Sequence, residues 1–535
     1  MTTLDPVDNS TCRPDVFWTS GNVAEAFPGV CTPLGFTFMH DPVELSLRGA
    51  FRQIGAFSDA DVHVPARIED QFWTVFAGRA AVNLDQFGAL SDKLPGTSAT
   101  ATERQLFGKV RPTTVDHNTY RRYPAITLKA PGTMVGLPKR HDAYAADLRR
   151  WRITTLARLA ELDPVALRTV LADARQRLHD VMVLHFLATF VSSGVADRLG
   201  TLARGAGVPG LETRLLSGVG SDENEVAADL FDLAHGHIDM ATFLDRHGYH
   251  GPNEGQLDVV SWREDPRSVE ARLDAYRAID ATSPKAPRNR SREQASVRAA
   301  ALAELIGVLP RRRRFTAKLL TRLAARFIAL REQGKTGYLI TFDVARSAAR
   351  RLGADLVDRG MLDAADDVFF LTWEELHDAG GSPAEDADTR KLVAERRRQY
   401  EERQRFRLPD AWEGLPTLIP VANATAAASV GTRIEGLAAS SGVVEGRARV
   451  VTDPSKVDLD DGDILVCEAT DPSWVALFMV AGGVVTDLGS LLSHGAIVAR
   501  EMGIPCVVGT KSATATITDG QHIRVDGDAG VVEVV

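Results

Sequence analysis

Two clusters in this sequence are built from residue types that move phosphoryl groups. The first is Thr486-Asp-Leu-Gly-Ser-Leu-Leu-Ser493-His494-Gly-Ala-Ile-Val-Ala-Arg500-Glu-Met-Gly503. It reads as a strand, a glycine turn and a short helix over 491–502 that opens near His494. A histidine at a helix amino end sits beside backbone N–H groups and the positive end of the helix dipole, which favours phosphate. The same field disfavours imidazolium and keeps the ring neutral and nucleophilic near neutral pH. On position alone, such a histidine also serves as a cap or a packed core residue. The second cluster is Arg331-Glu332-Gln-Gly-Lys335. Phe315, Leu319, Leu323 and Phe327 precede it at four-residue steps and predict a core stripe on a helix over 311–333. Arg331 and Lys335 continue that spacing at the edge of the stripe. Two cations can neutralise a transferring phosphoryl group while Glu332 accepts a hydroxyl proton. Without that chemistry, the cluster is the exposed charged end of a helix.

A third group is His247-Gly-Tyr-His250-Gly-Pro-Asn-Glu254. His247, His250 and Glu254 are metal-ligating types, but Gly251 and Pro252 argue for a turn, and no metal site is expected there.

The elements that must position these residues fall into two textures. Residues 140–405 are rich in Ala, Leu, Arg and Glu with apolar spacing near 3.6, which predicts helices over 148–162, 164–193, 268–279 and 311–333. Asp163 before Pro164 is a helix-start signal. Residues 432–535 are rich in Gly, Val, Ile and Asp, and short apolar runs predict strands over 443–451, 463–467, 483–486, 506–508, 522–525 and 531–535. The prolines 409, 416 and 420 and the small-residue run 422–429 predict a mobile connector. The expected organisation is therefore α+β multidomain: one domain over 1–407, mostly helical from about 140; a linker over 408–431; and a small β/α domain over 432–535. Residues 367–372 read as a strand and 378–388 as a surface loop.

Composition narrows the function classes. The 535 residues exceed one compact core, and 25% charged with 44% hydrophobic residues is ordinary globular usage rather than disorder. The net charge of -9 gives no general support for nucleic acid binding. Residues 285–335 reverse it locally, with 14 Lys or Arg against three Glu, a net of +11. Lacking aromatic interleaving, that run is expected to face solvent, an acidic partner or a nucleotide-bearing partner. Cys12, Cys31, Cys467 and Cys506 are too dispersed for a disulfide framework or a cysteine zinc site. With no run of about 18 apolar residues and a polar start, no membrane span is expected, and the expected location is cytoplasmic.

The segment around His494 resembles the phosphohistidine signature of the mobile domain of phosphoenolpyruvate-utilising enzymes. The pattern runs through Thr486, Ser493, His494, Ala496, Arg500, Gly503, Ile504, Pro505 and Gly509. Ser441-Gly442, Gly446-Arg447-Ala448, Gly462 to Val466, Asp519-Gly520 and Asp526-Gly527 extend it over about 100 residues. Leu488-Gly489-Ser490 stands where the family usually shows a Gly-Gly pair. Asn22 to Leu34, the 247–254 segment, Trp262 to Pro266 and the Arg-Glu-x-x-Lys pattern at 331–335 are similar to the substrate region of rifampicin phosphotransferases. By that resemblance His494 carries the phosphoryl group, and Thr486, Ser493 and Arg500 support it. Arg331, Glu332 and Lys335 serve the acceptor, and His250, where the family commonly has arginine, binds substrate with Glu254.

No stretch resembles the ATP-grasp domain of these enzymes or the GxxxxGK[ST] phosphate loop. The resemblance therefore implies a carrier and acceptor subunit, as in phenylphosphate synthase and hydroxyphenyl-ketone kinases. ATP and Mg2+ are expected on an ATP-grasp partner subunit, none on this chain alone, and the acceptor is expected to be a small aromatic hydroxyl compound. The competing readings are a rifamycin-type antibiotic phosphotransferase with a separate ATP-binding subunit, and a non-catalytic phosphohistidine carrier or regulator.

Overall fold

The computed structural model describes residues 5–21, 23–107, 110–117, 119–208, 210–219, 222–283, 286–378, 383–421, 428–452, 459–460, 462–470, 474–489 and 493–535. The architecture is α+β, and the chain forms two compact units, each assembled from separate segments. The first takes residues 1–187, 253–259 and 337–421; the second takes 188–252, 260–336 and 422–535. The helices of 188–252 and 260–336 thus join the carboxy-terminal sheet in one unit.

The first unit holds a four-stranded antiparallel sheet in the order Trp73–Phe76, Arg79–Asn83, Phe17–Thr19, Ala411–Glu413. Its last strand, and Ile419–Pro420, which pairs with Phe406–Arg407, lie in the stretch expected as a connector. Most of the small-residue run, 422–427, lies outside the described residues. Trp18, Phe76 and Trp412 pack edge to face, which fixes this end of the chain onto the amino-terminal strand. Asn253–Val259 lies over the turn at 26–31: Gln256 Nε2 donates to the Pro28 carbonyl at 2.7 Å. A Cβ on Gly255 would stand 1.8 Å from the Ala26 carbonyl oxygen, so only glycine fits. Gly255→Ala should cost about 1–3 kcal/mol, as overpacking against backbone does, read as a lowered midpoint in thermal or urea denaturation.

The helices run longer than their periodicity predicts. The segment expected over 148–162 is the end of Tyr123–Arg158, and that expected over 164–193 extends to Arg204. Asp163 caps the latter, accepting the Ala166 N–H at 2.8 Å. Pro164–Arg204 is long and apolar enough by composition to cross a membrane, but half of its most apolar window is buried inside the protein. The helix expected to end at Gln333 continues to Asp358, because Leu339, Phe342, Val344, Ala345 and Ala348 extend its buried face. The 268–279 helix is split into Arg267–Glu270 and Leu273–Arg277. Residues 367–372 are not a strand: Asp367 Oδ2 accepts the Ala364 N–H at 2.9 Å and starts the 3-10 turn Ala365–Phe370. The 378–388 stretch is not wholly loop, since helix Pro383–Arg403 begins within it.

The stripe expected to be core is buried only at its carboxyl end. Phe327 is 5% exposed, but Phe315 is 74% and Leu319 43% exposed. Ala317, Thr321 and Ala324 are the buried residues there, so the helix turns its small residues inward.

In the second unit an eight-stranded sheet has the order 433–435, 531–534, 522–526, 443–451, 464–467, 483–486, 506–508, 437–440. The neighbours from Val443–Val451 through Ile464–Cys467 and Gly483–Thr486 to Cys506–Val508 are parallel, and the flanking pairs are antiparallel. The Val- and Ile-rich central strands are buried on both faces, as a parallel sheet requires.

Candidate functional site

His494 is the first residue of helix His494–Met502, which follows the parallel strand Gly483–Thr486. Its backbone therefore stands beyond the carboxyl edge of the parallel strands, where such sheets present their ligands. The His494 side chain lies outside the described residues, as do residues 490–492; the structure supplies the frame that carries them. Backbone bonds from Asp487 N–H to Cys467 O at 3.0 Å and from Leu488 N–H to Glu468 O at 2.8 Å tie together the turns after two neighbouring strands. A Cβ on Gly495 would meet Thr470 Oγ1 at 2.9 Å, so the turn after Ile464–Cys467 closes against the helix start.

The three residues expected to support the phosphohistidine are all engaged within this frame. The Thr486 hydroxyl donates to Leu488 O at 2.6 Å. The Ser493 hydroxyl is the N-cap and accepts the Ala496 N–H at 3.3 Å. Arg500 Nε donates to Ala439 O at 2.6 Å and anchors the helix to the edge strand. Sequence reasoning missed Asp487. Its buried carboxylate accepts the Thr510 hydroxyl at 2.9 Å, the Ala513 N–H at 2.5 Å and the Thr514 hydroxyl. An acid closing the apolar run Val484-Val485-Thr486 was the signal available.

Loss of the cap in Ser493→Ala should cost about 1 kcal/mol of helix stability. Phosphoryl labelling of His494, the role that the family resemblance implies, should slow a few-fold and persist. Complete loss of labelling would instead place the Ser493 hydroxyl on the phosphoryl group.

The second cluster is a buried turn of helix Arg311–Asp358 rather than an exposed helix end. Glu332 is 5% exposed, and Arg331 Nε lies 3.4 Å from Glu332 Oε1. Lys335 is half-buried one turn on, at i+3 from Glu332 and i+4 from Arg331, so the three side chains share one stretch of helix surface. A buried carboxylate beside one cation, with a second cation a helical turn on, can take a proton while the cations hold an anion.

The chain divides between Pro252 and Asn253, so His250 belongs to the second unit and Glu254 to the first. The His250 ring is fully buried, with Tyr249 at 4.4 Å and Trp262 at 5.3 Å between centroids. Its neighbour His247 bonds Asp229 Oδ2 through Nε2 at 2.9 Å. Burial pushes the Asp229 carboxyl up, but the hydrogen bonds from His247 and Arg246 outweigh it and hold the group below its usual range. Among the described residues no group of three or more His, Cys, Asp or Glu is spaced to hold a metal.

Residues 459–530 match the family described as PEP-utilising enzyme, mobile domain. Residues 151–332 match the rifampicin phosphotransferase fourth domain, a range that ends on Glu332. A rifampicin phosphotransferase of Streptomyces sviceus is 33% identical over 311 residues, covering 55% of this chain and 34% of the relative. One from Bacillus subtilis is 36% identical over 208 residues, 39% of this chain and 24% of the relative. An uncharacterised Mycobacterium tuberculosis protein is 28% identical over 486 residues, 86% of this chain and 51% of the relative. The chain spans about a third of the length of the Streptomyces relative.

Within the second unit, helices Val475–Val480 and His494–Met502 pack on helices Asp222–Ala234, Leu273–Arg277 and Pro287–Val308. Val480 and Met502 join the core around Phe243, Trp262 and Tyr276. The helix that bears His494 thus reaches the helical part of its own unit through Met502, beside Val480 of the preceding helix.

Proposed function

We propose that this chain is the carrier and acceptor subunit of a two-component, ATP-dependent phosphotransferase. An ATP-grasp partner holds ATP and Mg2+ and passes a phosphoryl group to a ring nitrogen of His494. The acceptor hydroxyl then attacks that phosphorus: its O–P bond forms, the N–P bond to His494 breaks, and the hydroxyl proton passes to Glu332. Arg331 and Lys335 offset the charge on the moving group. The balance, as the family resemblance implies, is ATP, water and acceptor to AMP, phosphate and phosphorylated acceptor. Division into two steps lets one residue serve two separate sites.

The observation that carries this reading is the pairing of one helix start at the edge of a parallel sheet with a buried Arg331–Glu332 pair in the same unit. The acceptor we propose is a small phenol. A second reading, a rifamycin hydroxyl, is favoured by the fourth-domain match and by the names of the relatives. The deciding experiment incubates the purified chain with ATP, Mg2+ and a purified ATP-grasp protein, and offers phenols and rifamycins in parallel. Phosphorylated phenol supports the first reading and phosphorylated rifamycin the second. A labelled chain that gives its phosphoryl group to neither class would leave a phosphohistidine carrier or regulator.

A further inference from the structure

The first four turns of helix Arg311–Asp358 are composed against the rules for helix stability. Residues 311–326 contain seven Lys or Arg and no Asp or Glu. Four of the cations, Arg311 to Arg314, crowd the helix amino end, where the dipole is already positive and further positive charge is unfavourable. Arg314 turns back to the Leu309 carbonyl at 3.1 Å. Arg311, Arg312, Arg313, Lys318 and Arg322 are exposed, and among the described residues none of them forms an ion pair, although the chain has 71 acidic residues. Folding therefore does not use these charges.

Two large apolar side chains lie among them. Phe315 and Leu319, 74% and 43% exposed, are one turn apart on the face opposite the buried Ala317, Thr321 and Ala324. Isolated exposed apolar residues are common. A phenylalanine and a leucine in register on one helix, ringed by unpaired cations, have the make-up of an interface centre with a charged rim. The face from Arg311 to Arg322 is about 17 Å long.

The face belongs to the same unit as the phosphohistidine helix, and one helix links them. Ala301 and Leu305 of helix Pro287–Val308 share a core with Ala317 and Ala324. Gln294 of the same helix lies beside Gly503, at the end of the His494 helix.

We infer that the Arg311–Arg322 face is the docking surface for the nucleotide-bearing donor protein. That protein must present carboxylates around an apolar pocket that takes Phe315 and Leu319. The inference rests on the two-component reading above. A protein partner fits better than a polyanion, because the chain as a whole is acidic and the centre of the face is aliphatic and aromatic rather than polar. Opposite charges steer encounter, so association should be fast and sensitive to salt.

The test uses the full chain and two sets of substitutions, Arg311→Glu with Arg312→Glu and Lys318→Glu, and Phe315→Ser with Leu319→Ser. All five side chains are exposed, and circular dichroism melting checks that the fold is kept. Loading of His494 is followed at varied concentrations of a purified ATP-grasp protein of the same organism, with ATP and Mg2+. Loading by phosphoramidate, which transfers its phosphoryl group to the ring and releases ammonia without any donor protein, is run in parallel. Both variants should raise the KM for the donor at least 10-fold, leave kcat near the parent value and load normally with phosphoramidate. Added NaCl should slow donor-dependent loading of the parent far more than that of the charge-reversed chain. Equal KM values in parent and variants would overturn the docking face while the two-component reading stands. Failure of every donor to load the parent chain would overturn both. Binding to phosphatidylserine vesicles or to RNA that is lost in the variants, with donor loading unchanged, would assign the face to that ligand and overturn the inference.

Discussion

His494→Ala should abolish phosphoryl labelling of the chain and all turnover of acceptor, with the fold intact. The parent, incubated with ATP and an ATP-grasp donor, should gain one phosphoryl group that is labile in acid and stable in base, as a phosphoramidate bond is. The loss should be complete because a covalent carrier step stops when its nucleophile is removed. The damage should be local, because other side chains hold the frame. Ser493 caps the helix, Arg500 ties it to Ala439 O, and Asp487 braces the preceding turn through Thr510, Ala513 and Thr514. The melting midpoint of the variant should therefore stay close to that of the parent. Labelling that persists in His494→Ala would move the carrier elsewhere; labelling lost together with the fold would mean that the histidine is structural.

The carboxy-terminal domain was legible in the sequence. Each strand expected over 443–535 forms within one residue of its expected bounds, because short Val and Ile runs between Gly-Asp and Asp-Gly turns leave little choice of period. The helix behind His494 was legible too, closed by Gly503 in the left-handed region at φ 65°. What could not be read is long-range. Nothing local marks the first unit as three separated segments, or shows that Ala411–Glu413 pairs with Phe17–Thr19 almost 400 residues away. Nor does periodicity say which of two faces is inside: the Phe315 and Leu319 stripe has core spacing, yet Ala317, Thr321 and Ala324 take the core. Small residues allow close helix packing, and that preference overrode the larger apolar stripe. Conversely, Arg331-Glu332-Lys335 reads as a charged helix end, while the helix in fact continues through the cluster and buries Glu332. The misreading had one cause, a helix taken to stop near Gly334 when apolar residues beyond it carry it on to Asp358.

Burial of Glu332 separates the two half-reactions experimentally. Its proposed task begins only after His494 is loaded, so Glu332→Gln should load at nearly the parent rate and then transfer slowly. Removing a general base costs about 100- to 10,000-fold. The amide keeps the shape of the carboxylate and fills the same buried space, which limits loss of stability. Lys335→Ala should show the same split, with normal loading and slow transfer, because one cation of the clamp is gone. The size of the effect in Glu332→Gln should depend on the acceptor. A phenol of low pKa is already partly ionised and needs little help in losing its proton, so its rate should fall least. An aliphatic hydroxyl should fall most. Single-turnover transfer from chain pre-loaded with phosphoramidate isolates this step from the donor protein. If both variants then transfer as fast as the parent across the acceptor series, the Arg331–Glu332 pair is a structural ion pair of a buried helix turn. If the rates fall equally for all acceptors whatever their pKa, Glu332 positions the acceptor or Arg331 instead of taking the proton.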